Sequence, residues 1–164
     1  MKKVILFLAC LFAGAHPGWA VCIDPQTGIS GYQIPLNEEI SAAPRIAIVQ
    51  ILKEKALSED ASDPIGVTAH LYTAQVLRQL KGTPLKTIEL HSENTSGGYP
   101  MDVGEKYLLF ISENEHLWID NCGHSALLWQ SRATLRQVEK KLGIQNHAGK
   151  DARRPGRVNR IKAL

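Results

Sequence analysis

The chain has 164 residues, with 19 Lys and Arg against 16 Asp and Glu, a formal net charge of +3 and a pI near 8.8. So small a surplus excludes the strong single-sign field of a protein that coats a polyanion, and no nucleic-acid partner is expected. Only the first residues contain a long apolar stretch, so no transmembrane anchor is expected either.

That stretch has the layout of a secretory signal peptide. Lys2 and Lys3 form a positive start, and residues 4 to 15 are an apolar run too short to anchor in a bilayer. Pro17 breaks any helix, and the small residues Gly18 and Ala20 place cleavage before Val21. Ala13-Gly14-Ala15 offers an earlier site, and Cys10 a lipid-attachment alternative with a short apolar stretch ahead of it. The expected product is exported, to the periplasm or beyond the cell. Cleavage removes Lys2, Lys3 and Cys10, which leaves the charges nearly balanced and Cys22 and Cys122 as the remaining cysteines. In an oxidising compartment a disulfide between them is the economical assignment, with two free thiols or a metal-binding pair as alternatives. In the chain-entropy view, closing so long a loop stabilises the fold by about 4 to 5 kcal/mol.

Residues 45 to 52 (RIAIVQIL) are β-branched and almost continuously apolar, the pattern of a buried strand. The polar segment 53 to 66 reads as an exposed loop that returns the chain. A second strand, 67 to 80, puts Tyr72, Ala74 and Val76 on one face, and the break in alternation before Leu80 predicts a bulge or bend. Residues 81 to 84 turn the chain. The third strand, 85 to 91, directs Ile88 and Leu90 inward. Gly97, Gly98 and Pro100 mark a loop, the fourth strand spans 107 to 111, and after a polar turn the fifth spans 116 to 119. Ser131 is placed to cap a helix with an inward stripe of Leu135, Val138 and Leu142, two lysines in its last turn and Gly143 beyond its end. Residues 125 to 130 either extend this helix or form a separate turn. Five strands with a terminal helix and no βα alternation predict a mainly β fold, either α+β or closed β. The domain spans 21 to 146. Residues 147 to 164 form a basic tail with little to bury, expected to be flexible; the alternative is an electrostatic contact with an anionic surface or nucleic acid, against which the tail lacks aromatic residues to stack on bases.

The series Tyr72-x-Ala74-x-Val76, Leu80-Lys81-Gly82, Gly104-Glu105-Lys106-Tyr107-Leu108-Leu109-Phe110 and Cys122 resembles the netrin-like domains of tissue inhibitors of metalloproteinases. The resemblance covers about residues 22 to 143. It implies a five-stranded OB-fold-like barrel with a C-terminal helix, no enzymatic activity, no cofactor, and a protein partner, in the animal inhibitors a zinc protease. It also implies that Cys22 pairs with Cys122, as in the family's second bridge. The family's Cys-x-Cys start is absent: Ala20-Val21-Cys22 stands there, and residues 94 to 100 lack the first bridge's other cysteine. The α-amino clamp that chelates protease zinc in that family is therefore incomplete. Family members use a ridge of the N-terminal segment and the loop before the fourth strand, which here corresponds to Val21, Cys22, Ile23, Asp24 and Pro25 together with Asn94, Ser96, Gly97 and Gly98.

The rival expectation is a thiol- or metal-dependent enzyme built on Cys122 and His124, with His116 and Asp120 nearby. Against it, Cys122 has a cysteine partner, neighbouring residues of an extended strand face opposite ways, and no CxxC or HExxH spacing occurs. Inhibition of a zinc metalloprotease is a narrower form of the binding-module reading. Trp118 and Trp129 are read as core or core-rim residues, and Asn94-Thr95-Ser96 as a chance glycosylation sequon.

Overall fold

The computed structural model describes residues 22 to 62 and 65 to 144. The expected signal peptide, Val21 and the basic tail lie outside these residues. The elements are α1 Leu36–Ala42, β1 Arg45–Leu57, β2 Ala69–Lys81, β3 Thr87–Glu93, β4 Lys106–Glu113, β5 Leu117–Ile119, β6 Ala126–Leu127 and α2 Arg132–Lys141. The fold is mainly β: an antiparallel sheet in the order β3-β2-β1-β4-β5, with β6 also paired to β4.

Both faces of the sheet's middle are covered. Ala47, Val49, Ile51, Tyr72, Ala74, Ile88, Leu90, Leu109 and Ile111 form one core cluster on one side. Ile46, Ile48, Leu80, Leu108 and Phe110 pack on the other side against Ile40 of α1 and Val138 of α2. This double burial is why β1 and β4 carry continuous apolar runs rather than alternation. Bulges in the β1–β2 ladder leave Leu52, Leu77 and Leu80 without ladder partners. The bulge at Leu77 inverts the alternation, so Arg78 and Leu80 turn toward the helices. Arg78 then pairs with the buried Glu139 of α2. At the end of β2, Lys81 donates to the Ile40 and Ser41 carbonyls of α1, both at 2.8 Å, supplying a cation to the open end of that helix.

Several expectations are corrected. β1 does not stop at residue 52: the charged residues Lys53 to Lys55, then Ala56 and Leu57, continue the ladder opposite Thr73 to Ala69, so only 58 to 68 connect the strands. Their charges suit a hairpin extension that lies outside the core and needs only backbone pairing. Helix α1 was not anticipated. Ser131 precedes α2, but its hydroxyl donates to the Leu127 carbonyl at 2.9 Å and caps nothing. The far end of α2 is as expected: Ile144 N–H reaches Glu139 O, Gly143 N–H reaches Lys140 O, and Gly143 has φ 68°. Residues 125 to 130 form neither a helix extension nor only a turn, because β6 lies among them. Trp118 is half-buried, whereas Trp129 is 64% exposed and is not a core residue. The ladder is not closed into a barrel. Among the described residues β3 and β5 share no pairing, although the rings of His91 and His116 stack with centroids 4.8 Å apart between these two edges.

Candidate partner-binding ridge

Strands β5 and β6 lie along one edge of β4, and the chain leaves that edge between them. Where the ladder is interrupted, the Ser125 hydroxyl accepts the Phe110 N–H at 2.9 Å, so the buried donor keeps a partner. The excursion, residues 120 to 124, carries Cys122 to Cys22, with Cα atoms 5.5 Å apart across a disulfide. Backbone bonds reinforce the link: Ile34 N–H donates to Cys122 O at 3.0 Å, and the Gly31 and Tyr32 N–H groups donate to Cys22 O.

The N-terminal segment is a tight turn. Asp24 Oδ1 accepts the N–H groups of Gln26 at 2.7 Å and Thr27 at 3.0 Å, which holds its carboxyl below the ordinary aspartate value. Asp24 N–H reaches Ile29 O, and Ile23 bridges Ser30. The turn presents Ile23 and Ile29 to solvent, 58% and 66% exposed, with Pro25 also exposed.

The second predicted region lies beside it. Asn94 is fixed by its N–H to Thr68 O and its side-chain amide to Val67 O, both at 2.8 Å. At Gly98 an added Cβ would lie 1.9 Å from the Glu93 carbonyl oxygen, so only glycine lets the loop fold this closely onto β3. The side-chain amide of Asn121 donates to Ser96 O at 3.4 Å. The loop from Asn94 to Gly98 and the segment from Cys22 to Pro25 are thus both tied to residues 121 and 122, the first through Ser96 and the second through Cys22. Val21 lies outside the described residues.

The excursion rests on α1. Glu39, 6% exposed, accepts the His124 N–H at 2.9 and 3.1 Å, and His124 Nδ1 lies 2.7 Å from Glu39 Oε2. Burial pushes the Glu39 carboxyl above its usual range, opposed by the His124 hydrogen bonds. An added Cβ at Gly123 would meet Glu39 Oε1 at 2.1 Å. Asp120 Oδ1 accepts the Cys122 N–H at 2.8 Å. These residues orient the disulfide. Glu39, Asn121 and Ser125 were not singled out in the sequence. The one available signal was the pair of glutamates, Glu38 and Glu39, just after Pro35, where acidic residues suit a first helical turn.

The groups of the enzyme reading each have another partner, and Asp120 accepts the backbone N–H of Cys122. The Cys122 sulfur is bonded to Cys22, His124 is paired with Glu39, and His116 stacks on His91, whose Nε2 lies 3.3 Å from Glu59. Among the described residues no group of three or more His, Cys, Asp or Glu is arranged to hold a metal ion. No protein-family model matches the chain, and no curated protein matches it.

Proposed function

We propose that the protein is an exported, disulfide-stapled binding module of the netrin-like type that engages a protein partner through the ridge of residues 22 to 25, 94 to 98 and 121 to 122. The observation that carries this reading is the Asn121 to Ser96 bond beside the Cys22–Cys122 disulfide, which fixes two distant exposed segments as one surface. A surface that is ordered before binding loses less entropy on association. Ile23 and Ile29 supply exposed apolar anchors at one end of it. The strand path, with the outer ends of β3 and β5 drawn together at His91 and His116, supports assignment to the partly open five-stranded barrels of the OB type. The disulfide supports export, since such bonds persist in oxidising compartments.

A photocrosslinking amino acid placed at Ile29 or Ser96, and at Lys140 as a control on α2, tests the reading in the native compartment. One partner should be captured from both ridge positions and not from Lys140, and Ile29→Asp should suppress capture from Ser96. Equal capture from Lys140, or none from the ridge, contradicts the proposal. If the partner is a zinc protease, one residue added before the mature N-terminus distinguishes zinc chelation, which it abolishes, from ridge binding, which it leaves intact.

A further inference from the structure

A cleft of about 450 Å³ lies between the sheet and the start of α2, and none of its lining residues belongs to the ridge. Ile48, Leu128, Trp129 and Leu135 form apolar walls, and the backbone bond from Leu128 N–H to Lys106 O at 2.8 Å fixes the two sides relative to each other. Its size is in the range that holds small ligands, about 300 to 1,000 Å³. Trp129, among its lining residues, is largely exposed. The indole belongs to the same apolar lining as Ile48, Leu128 and Leu135.

The charges of the lining point to what the cleft takes. Lys106 and Arg132 line the cleft, and neither is ion-paired among the described residues; Glu105 is the one acidic residue there. Arg132 is also the first residue of α2, where a cation opposes the helix dipole. The usual remedies are missing: the first turn of α2 has no acidic residue, and the Ser131 hydroxyl turns back to Leu127 O instead of accepting from the helix. An anion seated between Arg132 and Lys106 would meet two cations at one cleft.

We infer that this cleft binds an amphipathic anion, a carboxylate on an apolar chain, with the carboxylate between Arg132 and Lys106 and the chain along Trp129, Leu128 and Leu135. The site is independent of the ridge, so loss of either function leaves the other intact.

Titration of the full exported, oxidised protein with decanoate, decanol and decylamine, all below their micelle concentrations, tests the inference by calorimetry and by the Trp129 indole resonance. Decanoate should bind and shift that resonance, with decanol and decylamine at least about tenfold weaker. Arg132→Glu combined with Lys106→Glu should weaken decanoate by about tenfold or more while thermal stability is unchanged or slightly raised, because glutamate suits a helix start. Trp129→Ala should weaken all three probes. Equal affinity for decanoate and decylamine, unaltered binding in the charge-reversed variant, or no shift at Trp129 would overturn the inference.

Discussion

The middle of the sheet and the ridge are held together by different means. Between Ile46 and Ile51 in β1, and between Tyr107 and Ile111 in β4, apolar side chains are buried on both faces, so support comes from many unspecific contacts. The ridge, by contrast, has exposed anchors and depends on a few directed bonds: one disulfide, the Glu39–His124 pair, the Asx turn at Asp24 and the Asn121 amide. The sheet should therefore fail only when volume is removed, whereas the ridge should fail one bond at a time.

Leu108→Ala should show the largest effect. Leu108 is fully buried in the helix-facing core, and truncation should cost about 3 to 5 kcal/mol in chemical denaturation. A change at the solvent-facing Lys55 of the same sheet should stay within about 0.5 kcal/mol. Gly123→Ala comes next, at about 1 to 3 kcal/mol, because its methyl group collides with Glu39. In a Glu39→Ala background the same change should cost less, and a double-mutant cycle measures that coupling. If the two costs simply add, the excursion does not rest on Glu39.

The smallest effect concerns pH. The Asp24 carboxyl is lowered from 3.8 by the backbone N–H groups of Gln26 and Thr27. Its folded value lies below its unfolded value, so its contribution is present above about pH 3.8 and is lost as pH falls through the lowered value. Asp24→Ala should accordingly lower the thermal midpoint slightly at neutral pH and lose less stability on acidification than the wild type. Parallel acid limbs for the two proteins would remove the Asx turn from the ridge's supports.

The same contrast governs how much was legible in the sequence. The apolar runs of β1 and β4, the inward pair Ile88 and Leu90, the bulge before Leu80 and the stripe of α2 were readable, because burial imposes residue type directly. The second half of β1 was not: Lys53, Glu54 and Lys55 are charged, and their strand conformation follows from pairing with β2 rather than from their own side chains. α1 spans only seven residues and is stabilised by packing of Ile40 and by Lys81, a residue far along the chain. On the ridge, the cysteine pair was readable from the cysteine count. The bonds of Glu39 and Asn121 join residues 85 and 25 positions apart in sequence and leave no local periodicity to detect. Trp129 was misread because an aromatic residue before a helix usually packs inward, and here the chain turns it out beside the cleft.

The most direct test of the account compares two-dimensional amide NMR spectra of the protein with its disulfide intact and reduced. If the ridge is one surface joined through Asn121 and Cys122, the resonances of Thr95 to Gly98 should move together with those of residues 22 to 34 and 121 to 124, while those of α2 stay in place. Movement confined to the cysteine neighbourhoods, with residues 95 to 98 unchanged, would show that the two segments are separate and would contradict the account.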